Sequence, residues 1–543
     1  MGTRRAFQGL PNHREAGRTP GRSNGLATWP ATALAGLNAV AFTLLVSQYF
    51  GSGLADRPLG LRHSSRALAT AVTAARGLAD DSTYAIELYT YFHAAGQYIT
   101  NEQLRESLTI PVLRPHERLV YSRGNDLGLP KFISASFLLF GLSLRAPHYL
   151  FFTLLGVSLL LFVAGHRRDP ASLCLAFYVL LAIYAMTFVL ALSTQLWTAI
   201  DVRFISALAI LPCLELALVA SSGRWSWHDQ LRCLPQAALV AAVFQIRSAS
   251  AWTIVCLIAV AVWTLVAGRR NGSAARAAAI APLALTALLL VALTIHQRQT
   301  LNDQYRTTTP PSHVFWHSLH TGFAADPELA AQYRLGFDDM PSYLAVMRSV
   351  EAHEPERMQA VFGTDGSVFA FNRVNLLEYE RAARGVVAQI VREEPGAVVA
   401  AFLYYKPLMF VRTLAWVTGL AQIDVRAIAI EPGWISTAAE RTARDEYLRW
   451  FRPVAACLFL LAVVSAGCSR RMSSSESLPH RPAGIVLPAM FLASALPGLV
   501  VWPAFHWSAD ALITTGMLLY AIVAWGAHTA FEYVASRAVR KRL

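Results

Sequence analysis

The chain is short of charge. Only 15% of its 543 residues are Asp, Glu, Lys or Arg, while 55% are hydrophobic and the mean hydropathy is +0.40. Soluble domains carry about 25% charged residues, so this composition excludes an ordinary soluble fold and marks a polytopic membrane protein. Lysine is almost missing: Lys131, Lys406 and Lys541 are the only three. Cysteine is sparse too, and all six (Cys174, Cys213, Cys233, Cys256, Cys457 and Cys468) fall in apolar segments or their basic flanks. They imply no disulfide framework and no CxxC metal pattern. There is no GxxxxGK[ST], which excludes an ATP-driven motor on this polypeptide. There is no HExxH and no GxGxxG behind a strand, which argues against a sugar-nucleotide enzyme of the soluble αβ kind. No repeat with a period of about 20–50 residues is present.

What is present is a series of apolar segments with basic ends. The formal net charge of +13 would suit a nucleic-acid binder. The basic residues fall mostly at the ends of apolar segments, however, so membrane orientation explains many of them better and no nucleic-acid partner is implied. Residues 1–28 carry Arg4, Arg5, Arg14, Arg18 and Arg22 among Gly, Pro and Asn, which reads as a disordered basic tail held in the cytoplasm. Membrane spans are expected at 31–50, 148–165, 171–193, 204–220, 234–246, 252–267, 277–295, 453–467, 483–501 and 509–531. This all-α arrangement of ten helices keeps Arg167-Arg168, Arg224, Arg232, Arg269-Arg270, Arg470-Arg471 and Arg537–Arg542 on the cytoplasmic side, with both termini.

Two long polar regions then face outwards. The chain divides into the tail 1–28, a membrane core 29–295, an outside helical region 296–452 and a C-terminal membrane part 453–543. The core contains the first outside loop, 51–131, and the apolar segment 132–144. That segment is too short to cross and reads as a helix lying in the outer interface. In 296–452, Asn375-Leu376-Leu377-Glu378 reads as a helix start and Pro395-Gly396 as its stop. The stretch 397–420 is apolar, yet it holds Lys406-Pro407 near its middle and Arg412 soon after. A central charge costs at least about 2.5–3.5 kcal/mol, so this stretch is not expected to cross as a single span.

The candidate chemistry lies in these outer regions. Asp80-Asp81 sits in the first loop beside Tyr84 and Glu87, and a carboxylate pressed against a bilayer has its pKa raised towards the range of a general base. The alternative is one capping carboxylate and one solvated neighbour. Arg203, Arg247 and Lys406 are cationic candidates for an anionic headgroup, against the alternatives of snorkelling and helix capping. His313, His317 and His320 share one face if helical, with Asp338-Asp339 as further candidate ligands. They suit a divalent metal, contact with an acceptor or headgroup, or the wet edge of an interfacial helix. The sequence itself requires no cofactor. Glu215 within a span reads either as a bundle contact or as a functional group.

The order of these elements resembles the integral-membrane glycosyltransferases of the GT-C fold, of the aminoarabinose- and mannosyl-transferase kind. The resemblance covers the first half of the chain and rests on Asp80-Asp81, Pro130-Lys131, Phe140-Gly141 and Arg167-Arg168 taken in order. It implies a bacterial inner-membrane enzyme that moves a sugar from a polyprenyl-phosphate donor to a glycan, lipid or protein acceptor. By the same resemblance Asp80 or Asp81 is the base; Tyr84, Glu87, Lys131, Arg203, Arg247, His317 and Lys406 are the residues expected to bind substrate from their place in the sequence. A transporter or lipid flippase, or a non-catalytic envelope assembly protein, is the competing expectation.

Overall fold

The computed structural model describes residues 29–53, 55, 61–78, 83–94, 99–112, 119–121, 128–191, 205–222, 225–267, 273–300, 315–336, 339–362, 374–417, 483–500 and 509–540. The described residues are mostly helical. Among the described residues five helices are long and apolar enough to cross a membrane, as in a membrane protein. They lie within α1 (Trp29–Gly51), α6 (Ala146–Gly165), α7 (Pro170–Ala191), α11 (Ser273–Thr300) and α20 (Ala509–Arg540). The expectation of ten spans is met only this far. The segments expected at 204–220, 252–267 and 483–501 form apolar helices shorter than the spanning length. They are α8 (Ile210–Ser222, entered through a 3-10 turn at Ser206–Ala209), α10 (Trp252–Ala267) and α19 (Ala483–Val500). The tail 1–28 and the span expected at 453–467 lie outside the described residues.

The remaining elements before the bundle are α2 (Leu61–Ala75), α3 (Ile86–Ala94), α4 (Asn101–Glu106) and α5 (Gly128–Phe140). Two short strands, β1 (Thr83–Ala85) and β2 (Leu119–Tyr121), pair antiparallel with Tyr84 opposite Val120. The all-α expectation missed this ribbon, because three residues are too few to show a period of two. The expected interface helix 132–144 is shifted: it starts at Gly128 and stops at Phe140. Gly141 adopts φ 82°, a left-handed conformation that suits glycine and ends the helix there. The expected span 234–246 is the second part of a longer helix, α9 (Trp227–Ile246). Its start is fixed by Ser226, whose hydroxyl caps the Asp229 amide while the Asp229 carboxylate accepts from the Ser226 amide at 2.8 Å.

The loop expected to lie outside is not a separate unit. Tyr84, Leu88, Phe92, Ile99 and Leu104 are buried in the same apolar core as the bundle. A second core lies in the helical region after α11, built from α12 (Phe315–Gly322), α13 (Pro327–Tyr333), α14 (Asp339–His353), α15 (Met358–Phe362) and α16 (Leu376–Glu393). Tyr343 and Tyr379 stack at its centre with ring centroids 5.6 Å apart. One segment joins the two cores. It runs through α17 (Pro395–Ala400), a π-turn at Ala401–Tyr405 and α18 (Lys406–Val417). Ala401 belongs to the second core, whereas Phe410 and Leu414 belong to the first. The apolar helix here, Pro395–Val411, is shorter than a span; residues 418–420 lie outside the described residues.

Candidate functional site

The two ends of the bundle are chemically different. At one end, α5 docks on the C-terminus of α9 with almost no space between the backbones. A Cβ added to Gly128 would come within 2.5 Å of the Gln245 carbonyl oxygen and the Ile246 amide nitrogen. Only glycine fits there, and it sets the first turn of α5, which carries Lys131, beside the residues that lead into Arg247. Arg247 ends α9 in an extended conformation and is followed by a 3-10 turn at Ser248–Ala251. The 3-10 turn Ser206–Ala209 packs against both α9 and that second turn. The Ser206 hydroxyl lies 3.0 Å from that of Thr514 near the start of α20. Arg203, three residues before Ser206, lies outside the described residues. The start of α6 is at this end too, since His148 Nδ1 sits 2.8 Å from the Tyr49 hydroxyl in the last turn of α1.

The first loop folds down onto this end. Its anchor is Thr73, whose hydroxyl accepts from the Ala85 amide at 3.1 Å and donates to the Ala69 carbonyl at 2.6 Å. That pair fixes β1 on α2, and α2 in turn packs along α5. Tyr84 is buried and its ring tilts against Tyr89. Glu87 is half-buried with both carboxylate oxygens enclosed. Asp80 and Asp81 lie outside the described residues, in the connection between Leu78 and Thr83.

Lys406 lies at the junction of the two cores. Its side chain is fully buried, its Nζ has no hydrogen-bond partner among the described residues, and Nζ stands over the Phe402 ring, 4.3 Å from the centroid. It directly follows the π-turn, a local irregularity often found where a helix carries function. Removing an ammonium from water without a counter-charge costs roughly several kcal/mol, so the fold holds Lys406 against its own stability.

His317 and His320 turn to different partners. His317 Nδ1 lies 2.6 Å from the Tyr379 hydroxyl on α16, while His320 Nδ1 lies 3.0 Å from Ser342 Oγ on α14. Sharing a helix face put them close in sequence, but each faces a different neighbouring helix. His313 and Asp338 lie outside the described residues, and nothing is described for the Asp339 side chain. Among the described residues no group of three His, Cys, Asp or Glu can hold a metal. Glu380 closes the start of α12, where its carboxylate accepts from the Trp316 and His317 amides at 2.8 and 3.0 Å. Burial raises its pKa and these backbone bonds pull it back down.

The opposite end holds a network that the sequence reading did not assemble. Glu215 on α8 is fully buried. One of its oxygens lies 2.7 Å from His166 Nε2 and the other 2.9 Å from Arg232 Nε. Arg232 continues to Asp229 at 2.7 Å, and Asp169 caps the start of α7 through the Ala171 and Ser172 amides. Gly165 makes room for this: a Cβ there would stand 2.8 Å from Arg232 Cδ. The available signal was the pair of polar starts, Asp169-Pro170 and Ser226 to Asp229, which bring acids to helix ends.

The fold and these sites define the class: a polytopic, mostly helical membrane protein with polar chemistry gathered at the ends of its bundle. Compared with known proteins, the chain matches no family model, no curated protein and no solved structure.

Proposed function

We propose that the chain transfers a sugar from a polyprenyl-phosphate donor to an acceptor at the outer face of a bacterial inner membrane. The observation that carries the reading is the docking of Gly128 against Gln245 and Ile246, which puts the Lys131 turn beside Arg247 at one bundle end. Two cations in that position suit a phosphodiester whose lipid tail remains in the bilayer. By the positive-inside rule, the end bearing exposed Arg167 and Arg168 faces the cytoplasm, so the Gly128 end faces outwards.

The chemistry is an inverting single displacement. The acceptor hydroxyl oxygen forms the new bond to the anomeric carbon, and its proton passes to the carboxylate of Asp80 or Asp81. The anomeric C–O bond breaks, and the polyprenyl phosphate leaves with the electron pair. Arg247, with Lys131 and Arg203, stabilises that anion. Tyr84 and Glu87 shape the loop that presents the base. The test is the lipid-linked sugars and surface glycans of a deletion strain, complemented with wild type, Asp80→Asn, Asp81→Asn or the double variant. Restoration of the glycan by wild type and not by the double variant supports the reading. A deletion strain whose lipids and glycans match the parent overturns it.

A further inference from the structure

The second core encloses a cavity that the proposed transfer does not use. It lies between α12, α13, α14 and α16, has a volume of about 300 Å³, and is lined by His320, Tyr333, Arg334, Arg348, His353 and Gln389 among others. This is the small end of the range for small-molecule sites, about 300–1,000 Å³. No Asp or Glu lines it. The nearby carboxylates are engaged: Glu393 accepts from Tyr333 Oη and Gln389 Nε2, each at 2.8 Å, and Glu394 accepts from Gln332 Nε2 at 3.2 Å. Arg334 and Arg348 are exposed at the rim and form no ion pair among the described residues. His320 is fully buried, and its Nε2 has no hydrogen-bond partner among the described residues. That nitrogen is closed to solvent, so His320 forms part of the wall behind the cavity while the arginines supply its open polar surface.

Arg334 supplies the second sign of selection for a cation. It stands at the end of α13 in the left-handed conformation, φ 53° and ψ 46°, and no other non-glycine among the described residues has a positive φ. Glycine is the residue this turn favours. An arginine here keeps a guanidinium at the cavity mouth in spite of the backbone.

We propose that this cavity binds a phosphoryl group, with the Arg334 and Arg348 guanidiniums on its oxygens. Forked guanidiniums match phosphate oxygens in pairs. The phosphoryl group can reach the cavity on a soluble sugar phosphate or on a lipid headgroup, and the two sources are separable. The full chain is placed in nanodiscs of phosphatidylcholine and titrated by equilibrium dialysis with radiolabelled inorganic phosphate and with a hexose 1-phosphate. Saturable binding is expected, weakened at least about tenfold in the Arg334→Gln/Arg348→Gln double variant. Including phosphatidylglycerol displaces the label if headgroups use the cavity and leaves it bound if soluble phosphates do. Arg334→Gly is the second arm: it should melt higher than wild type and yet bind phosphate more weakly. Absence of saturable binding, or binding unchanged in the double variant, overturns the proposal, as does Arg334→Gly binding with undiminished affinity.

Discussion

Two sets of buried ionisable groups occupy this molecule, and they are treated in opposite ways. At the end bearing Arg167 and Arg168, Glu215 is fully buried but meets His166 and Arg232, and Arg232 meets Asp229. Beside the second core, Lys406 is just as buried, with the Phe402 ring 4.3 Å from its Nζ and no hydrogen-bond partner there among the described residues, and His320 leaves its Nε2 orphaned among them too. A closed network costs little once formed and a great deal to open. An unsatisfied buried group is a standing cost, and a fold that keeps one has a use for it. The difference separates residues that hold the bundle together from residues that await a ligand.

The largest effect should come from opening the closed network. Arg232→Ala takes the guanidinium away from the buried Glu215 carboxylate, leaving it His166 as its ion partner among the described residues, and is expected to destabilise the protein by about 3–5 kcal/mol in thermal or denaturant unfolding. Gly165→Ala should act in the same direction, because its Cβ would crowd Arg232. A melting curve unchanged by Arg232→Ala would break the comparison at its first term.

The next prediction concerns pH. Burial, with His317 adding to it, pushes the His320 imidazole down from 6.5 to about 4. The unfolded chain therefore binds a proton that the folded chain refuses. The stability due to keeping His320 neutral is complete above pH 6.5 and is lost as pH falls towards 4, by roughly 3 kcal/mol at most. His320→Gln should flatten that part of the stability–pH curve; an unaltered slope would show that His320 is not the titrating group.

Gly128→Ala tests the docking at the bundle end proposed to carry the transfer site. A methyl forced against the backbone of Gln245 and Ile246 should cost about 1–3 kcal/mol and lower sugar transfer further by moving Lys131 away from Arg247. Unchanged stability and transfer would mean that the two helices do not meet there. The smallest expected change in stability is that of Arg247→Ala, under about 1 kcal/mol, while its use of donor should fall by about 1–3 kcal/mol in transition-state terms. Parallel measurement of melting and donor kinetics separates the two numbers.

How much of this was legible before the structure follows from where the information lies. The helices α1, α6, α7, α11 and α20 follow from long apolar runs, since hydropathy is a local property. The stop of α5 was written in Gly141, and the early start of α9 in Ser226 and Asp229, but both signals are short and were outweighed by the apolar pattern. Glu215 was visible as a polar residue in a span. Its partners come from two other parts of the chain, His166 and Arg232, which no periodicity links. His317 and His320 were correctly placed on one helix, yet only packing decides that one turns to Tyr379 and the other to Ser342. Lys406 was singled out for the cost of its charge, and its burial at the meeting of two cores is a tertiary fact.

The central claim is that Lys406, buried without an ion partner among the described residues, serves a ligand, while the ion-paired groups around Glu215 serve the fold. Lys406→Met tests it most directly, because methionine keeps an unbranched apolar side chain and removes the buried ammonium. The measurement is the melting temperature and the rate of sugar transfer from a polyprenyl-phosphate donor, both on the same purified protein in nanodiscs. The account predicts a higher melting temperature together with a lower transfer rate. A lower melting temperature with transfer unchanged would contradict it, placing Lys406 among the residues that hold the structure.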